Sequence, residues 1–325
     1  MTDKKTILIT GGNGYIGSMI SHILIDEGHS VIVIDRDRKK KQIPGTTLYP
    51  FDIANPQVEG IIQLMKPDAI IHLAADHEVG RSVLEPGVFY WNNVANTIQL
   101  LNHAVSAGVG HFIFSSSSSV YGDTSSFPTN ESQPMLPVSP YGRTKAIVEN
   151  MLWDYAHTHN LSFASLRYFN AAGADPAMRC GYTQDPASHL IPIVARKAIA
   201  KDTVEVYGDT YNTKDGTCER DYTHVHDIAT AHIGALQYLF EGGKNDVFNI
   251  GSGSSVSVKE IINKFTEVTD VPVNHTVREP RPGDPPKTYA DITKAQRVLG
   301  WTPKYTIDDI IQHEHQWQNI KGRKR

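Results

Sequence analysis

The chain has 325 residues, with 31 Lys and Arg against 35 Asp and Glu and a formal net charge of −4 at pH 7. That balance gives no electrostatic reason to expect nucleic acid as a partner. Hydrophobic residues at 40% and charged residues at 20% describe a soluble globular protein, and no apolar stretch approaches the roughly 20 residues that span a bilayer. The two cysteines, Cys180 and Cys218, lack metal-ligand spacing and suit a reducing compartment. With no signal peptide ahead of the first apolar run, a cytoplasmic protein is expected.

The first half alternates short apolar runs with longer amphipathic ones. Residues 6–10, 31–35, 69–74 and 111–116 read as strands, and 15–28, 56–65 and 88–107 as helices. A further strand is predicted at 162–168. This alternation predicts an α/β fold: a doubly wound, Rossmann-like parallel sheet with helices on both faces. After about Asn170, Gly, Pro and Asp become frequent, which predicts a smaller α+β lobe for substrate. The run 246–251 again reads as a strand of the first kind. The expected division is therefore 1–172 for the cofactor, returning at about 226–252, with an interrupted lobe over 173–325.

Gly11-Gly12-Asn13-Gly14-Tyr15-Ile16-Gly17 follows the first strand and opens a helix. Gly11, Gly14 and Gly17 permit a tight turn and close approach, and the helix N-terminus faces a pyrophosphate, with Tyr15 and Ile16 at its first turn. Asp35 ends the second strand, 18 residues after Gly17, near the spacing of a residue that binds the adenosine ribose. Its carboxylate would repel a 2′-phosphate. Arg36, Arg38 and Lys39–Lys41 could hold that phosphate of NADP, but read as a solvated loop run they leave NAD as the expected cofactor. Asp52-Ile53, after a third short strand, stands where an adenine edge would lie. Leu73-Ala74-Ala75 ends the fourth strand with residues small enough for a cofactor to lie against the backbone. Either segment is equally compatible with ordinary strand-end chemistry.

Ser115–Ser119 end the fifth strand, where open α/β sheets bind ligands, and serine hydroxyls there can orient a reacting oxygen. Tyr141 and Lys145 stand at i and i+4, one helix face. A lysine ammonium held there is expected to lower the phenol pKa towards neutrality and make Tyr141 an acid/base. Two histidine pairs, His224-Val225-His226 and His313-Glu314-His315, invite a metal reading. At i, i+2 on a helix neither pair converges, and no metal is expected.

The loop Gly11–Gly17, the segment Ser115–Gly122, Tyr141-x-x-x-Lys145 and Leu166-Arg167-Tyr168-Phe169-Asn170 together resemble the extended short-chain dehydrogenase/reductases. Among these, the chain resembles the UDP-glucose 4-epimerase family. Asn92-Asn93-Val94, Asp215-Gly216-Thr217, Arg220-Asp221-Tyr222, and Arg281 followed by Gly283-Asp284 extend the likeness from about residue 6 to Trp317. The resemblance implies NAD-dependent inversion at carbon 4 of a UDP-sugar through a transient 4-keto sugar. It implies Tyr141 as acid/base, Ser117 on the substrate 4-hydroxyl, and Lys145 on the nicotinamide ribose. Asn92 and Tyr168 would line the cofactor. Asn170, His189, Leu190, Tyr207, Arg220, Arg281, Asp284 and Thr288 would hold the UDP-sugar. It also implies a homodimer through 88–107 and 141–157.

The related 4,6-dehydratases carry an Asp-Glu pair where this chain has Ser118 and Ser119, which cannot take that role. Three positions depart from well-known epimerases. His77 stands where a lysine meets the nicotinamide. His189 replaces an asparagine. Thr288 replaces a bulky tyrosine, which predicts room for an N-acetyl group. A keto-releasing oxidoreductase, a UDP-xylose/arabinose epimerase and a silent dinucleotide sensor are the alternatives.

Overall fold

A computed structural model describes residues 3–37, 42–124, 126–281 and 284–322. Arg38, Lys39–Lys41 and Gly283, which entered the sequence reading, lie outside the described residues, as do residues 323–325 at the basic C-terminus. The first half runs β1 (Thr6–Thr10), α1 (Tyr15–Asp26), β2 (Ser30–Ile34), β3 (Thr46–Tyr49), α2 (Gln57–Met65), β4 (Ala69–His72), α3 (Val79–Leu84) and α4 (Pro86–Tyr90). A π-helical turn, Trp91–Ala95, joins α4 to α5 (Asn96–Ser106), followed by β5 (His111–Ser117), α6 (Pro140–Thr158) and β6 (Ser162–Tyr168).

Then come β7 (Asn170–Ala172), α7 (Leu190–Ala200), β8 (Val204–Tyr207), β9 (Glu219–Arg220), β10 (Tyr222–His224), α8 (Val225–Phe240) and β11 (Asp246–Ile250). The chain finishes with β12 (Val256–Ser257), α9 (Val258–Thr269), β13 (His275–Arg278), β14 (Lys287–Thr288), α10 (Thr293–Leu299) and α11 (Ile307–Gly322).

Among the described residues, seven strands form one sheet in the order β11-β6-β5-β4-β1-β2-β3, every pairing parallel. The strands are apolar on both faces because helices cover both. Ile7, Ile9, Val31, Val33, Ile71, Ile113 and Leu166 pack with residues of α1 and α8 in one core. The alternate residues Leu8, Ile32, Ile70, Phe112, Phe114 and Phe163 pack with residues of α2, α5 and α6 in the other. A third core joins α7, α9 and α11 through Ile191, Val194, Ile261, Phe265 and Ile310. β11 returns the chain to the sheet edge beside β6.

Three sequence expectations need correction. The fourth strand ends at His72 rather than Ala74. The stretch 88–107 is not one regular helix, since the π turn at Trp91–Ala95 interrupts it. Its cause is tertiary: Asn92 donates to the Asp76 carboxylate, and Asn93 Nδ2 donates to Asp76 O at 2.9 Å. His224 and His226 do not share a helix face. His224 ends β10 and caps α8, its Nδ1 accepting from His226 N at 3.0 Å, while its Nε2 meets His313 Nδ1 at 3.0 Å.

Candidate active site

The glycine loop lies between the C-terminal ends of β1 and β4. Gly11 has φ +71°, and a Cβ there would stand 3.0 Å from Ala74 N. A Cβ on Gly17 would stand 2.4 Å from Gly11 O, so the loop can fold tightly over α1 only with glycine. Helix α1 opens at Gly14 with no side-chain cap and no acid in its first turn. That leaves Tyr15, Ile16 and Gly17 at a helix N-terminus whose dipole and N–H groups suit a diphosphate. Asp35 is buried just past β2, its carboxylate accepting from Asn13 N and Asp37 N at 2.9 Å each. Its remaining lone pairs can accept ribose hydroxyls. This donor and acceptor set fits a dinucleotide with an unphosphorylated adenosine ribose.

Arg36 is turned away from any phosphate role, donating to Asp76 at 2.8 Å and lying 3.6 Å from Asp52. Asp76 went unremarked in the sequence reading. It is buried, held below the usual carboxylate range by bonds from Asn92 and Arg36 that outweigh its desolvation, and its N–H donates to Asn93 Oδ1 at 2.8 Å. Asn92 therefore reaches the rim of the loop through Asp76. Asp52 accepts from Ala54 N at 3.0 Å, and the neighbouring Ile53 is buried in the sheet core. Leu73 N and Ala74 N bond Thr10, which pins the 73–75 segment against Gly11.

At the end of β5 the sequence candidates converge. Ser139 caps α6, accepting from Gly142 N at 3.1 Å, and Pro140 occupies the first turn, so the helix starts just ahead of Tyr141. Tyr141 lies near enough to Ser117 for that side chain to favour its phenolate. Ser117 Oγ also accepts from Ser119 N at 3.2 Å, which caps the short turn Ser118–Val120. Lys145, one turn along, donates from Nζ to Ser115 O at 2.8 Å and lies 5.7 Å from the Tyr141 ring centroid.

The expected lowering of the Tyr141 pKa is not found. Burial pushes the phenol up to about 12, against a smaller lowering by Ser117, and burial pulls Lys145 down to about 7, offset in part by Glu149. Desolvation disfavours both charged forms and is the largest cause of both shifts. Tyr168 is buried on the neighbouring strand. His232 Nδ1 donates to Ile228 O at 2.8 Å, which leaves its Nε2 to accept the Tyr168 hydroxyl. That hydroxyl is thereby committed to the protein interior.

The lobe gathers the remaining candidates in two groups. In register across β9 and β14, Thr288 lies opposite Arg220, and Arg220 is ion-paired with Asp284. Arg281 stacks 3.9 Å from the Tyr207 ring centroid at the end of β8. The second group lies nearer the glycine loop. His189 precedes Leu190 at the start of α7, with the rings of Tyr182, His77 and Tyr15 at 4.9, 6.3 and 6.5 Å. Burial and the neighbouring His77 pull the His189 pKa down to about 4. His77 Nε2 donates to Gln184 Oε1 at 3.2 Å, and Tyr15 donates to Gly173 O, so this group bridges the sheet half and the lobe. Asn170 donates from N and Nδ2 to Asp221 O at 3.0 and 2.9 Å.

A glycine loop that suits a diphosphate, a buried carboxylate at the end of the second strand and a tyrosine–serine–lysine corner around buried Lys145 fit a dinucleotide-dependent enzyme acting on a hydroxyl-bearing carbon. The chain belongs to the NAD dependent epimerase/dehydratase family, whose model matches residues 7–251.

Within that family it is 41% identical to the UDP-glucose 4-epimerase of Halalkalibacterium halodurans over 96% of this chain and 95% of the relative. It superimposes with a TM-score of 0.95 and 35% identity on a UDP-glucose-4-epimerase from Stenotrophomonas maltophila solved with NAD and formylated UDP-arabinopyranose, covering 99% of this chain and 100% of that one. The UDP-Glc/GlcNAc 4-epimerase of Campylobacter jejuni matches with a TM-score of 0.84 and 35% identity, over 97% and 99% of the two chains.

Proposed function

We propose that the protein inverts carbon 4 of a UDP-sugar, UDP-glucose and UDP-galactose foremost, through a transient 4-keto sugar with NAD held throughout. NAD, when bound on the Gly11–Gly17 loop, supplies the acceptor and then the donor of the carbon 4 hydride. Tyr141, as the phenolate, takes the 4-hydroxyl proton as the carbon is oxidised, and as the phenol returns it after the sugar has turned its other face. Ser117, beside Tyr141, holds the reacting oxygen in line with the phenol. Lys145 contributes its ammonium beside Tyr141 and reaches towards the nicotinamide ribose. Positive charge is needed here because burial alone holds the phenol near 12, and the phenolate has to form during turnover.

Arg220 and Arg281 meet the diphosphate, with Asp284 orienting Arg220, while Tyr207, Asn170, Leu190 and His189 enclose the nucleotide and sugar. Residues 1–172 with 226–252 form the cofactor-binding part, and the rest form the sugar-nucleotide lobe. The convergence of Tyr141, Ser117 and Lys145 at the end of β5 carries this reading. Ser118 and Ser119, in place of a carboxylate pair, favour epimerisation over loss of water.

The lobe also supports a wider substrate range. Thr288 carries a small side chain in register with Arg220, and on this reading it admits an N-acetyl group beside the sugar. Purified protein incubated with a panel of UDP-sugars and no added NAD should interconvert UDP-glucose and UDP-galactose by NMR, and UDP-GlcNAc with its epimer. Release of a keto sugar with stoichiometric NADH would replace this reading with that of an oxidoreductase.

The assembly that fits the surface is a homodimer. Val88, Tyr90, Trp91 and Ile98 expose 36–63% of their surface, and Trp153 of the adjoining α6 exposes 46%. Sedimentation at micromolar concentration should give twice the 36.0 kDa chain mass. A cytoplasmic location accords with an NAD-linked activity and with reduced Cys180 and Cys218.

A further inference from the structure

Tyr141 and Lys145 have a third partner one turn on. Glu149 stands at i+4 from Lys145 on α6, is 1% exposed, and is absent from the proton path described above. Its carboxylate accepts from Ser116 Oγ at 2.5 Å and from Arg167 through two nitrogens, Nε at 3.0 Å and Nη2 at 2.5 Å. Arg167 lies on β6 beside Tyr168, and donates from Nη1 to Tyr121 Oη at 2.8 Å. Tyr121 donates onward to Asn249 Oδ1 at 2.7 Å on β11. A single buried ion pair thus ties the acid/base helix to β5, β6, β11 and the turn that follows Ser117.

A buried pair of this kind is a poor stabilising device, since desolvation offsets much of its Coulomb gain. Its placement suggests a different use. We propose that Glu149 and Arg167 form a positioning unit for the reacting corner: Glu149 holds Ser116, and through it Ser117, in register with Tyr141, and stands as the carboxylate counter-charge behind Lys145. The inference rests on the epimerase reading of the corner. Arg167 fixes the direction of the Glu149 carboxylate, so the hold on Ser116 is lost when either member is removed, while the counter-charge is lost only with Glu149.

The groups around Lys145 leave Glu149 as its source of negative charge. From β5, Lys145 meets the Ser115 carbonyl and lies 4.9 Å from the Phe114 ring centroid. From β4 it faces His72, which burial holds neutral, with a pKa of about 3. On its own helix it faces the half-buried phenol of Tyr141 and the carboxylate of Glu149. Glu149 raises the Lys145 pKa against the larger desolvation that lowers it.

The test is the titration of the Lys145 ammonium by NMR of isotopically labelled lysine in the folded protein without substrate, read beside kcat and KM. In E149Q the Lys145 midpoint should fall by about one pH unit. E149D, which keeps the charge, should leave the midpoint near that of the parent. R167Q, which leaves the carboxylate unneutralised, should raise it. kcat of E149Q should drop about 10-fold with KM for the UDP-sugar within about 2-fold, the pattern of a lost transition-state interaction.

If E149Q does not fold, the double variant E149Q/R167Q, which leaves neither charge alone, carries the same test with the midpoint again falling. Equal Lys145 midpoints in all folded variants, or movement in one direction for E149Q and R167Q alike, would overturn the proposal. Absence of epimerisation in the parent protein would instead overturn the reading on which it rests.

Discussion

The reacting corner and the sugar-nucleotide edge of the lobe use charge in opposite ways. At the corner, Tyr141, Lys145, Ser117, Glu149 and Arg167 sit on long elements, and burial sets their chemistry: phenol up, ammonium down, one ion pair sealed behind them. At the lobe edge, Arg220, Arg281, Asp284, Tyr207 and Thr288 sit on or beside strands of two to four residues. Arg220 and Asp284 there keep 15% and 28% of their side chains exposed. On the proposed function the corner changes protonation, and the edge meets a fixed charge without moving protons. Substitutions should accordingly separate into losses of kcat at the corner and losses of binding at the edge.

The largest effect is expected for Y141F. It should lower kcat about 10³-fold while leaving KM, far-UV circular dichroism and NAD content close to the parent. An unchanged kcat would remove the corner from the chemistry. At the edge, R220A should raise KM for the UDP-sugar about 30-fold, through loss of charge-assisted hydrogen bonds, with kcat within a few-fold. A kcat loss matching that of Y141F would erase the contrast between the two regions.

A third expectation concerns pH rather than substrate. Glu314, on α11 of the lobe, is fully buried; its Oε1 accepts from Gln318 at 2.6 Å, and its Oε2 has no hydrogen-bond partner among the described residues. Burial pushes its pKa from 4.5 up to about 8. The folded state therefore keeps the proton that the unfolded chain releases. Stability from this group is fully present below about pH 4.5 and is lost as pH rises through about 8. E314Q should flatten that decline in thermal melts between these limits, and parallel melting curves for parent and variant would refute it. The smallest effect is expected for T288Y, which should lower turnover of UDP-GlcNAc about 10-fold relative to UDP-glucose by filling the space beside Arg220.

Local patterns carried much of the fold. The runs 6–10 and 162–168 are strands to the residue, because apolar β-formers bounded by turn residues leave little ambiguity. The glycine loop was equally legible, since only glycine fits the approach of residues 11 and 17. What escaped depended on distant partners. The π turn at Trp91–Ala95 exists because Asn92 and Asn93 reach Asp76, which no periodicity encodes. The direction of the Tyr141 shift depended on how deeply the corner is buried. Glu149 was within reach of the same i, i+4 argument that found Lys145, but its meaning came only with Ser116 and Arg167 alongside. The Arg220–Asp284 pair joins positions 64 apart in sequence; resemblance named both residues, but their pairing came only with the structure.

The central claim is that hydride leaves and returns to the same carbon inside one closed site. UDP-glucose carrying deuterium at carbon 4, incubated with the purified protein and no added dinucleotide, tests it most directly. UDP-galactose should keep the label at carbon 4, with none acquired from solvent, and Y141F should form it about 10³-fold more slowly. Exchange of that label with water, or labelled reduced dinucleotide released alongside a keto sugar, would contradict it.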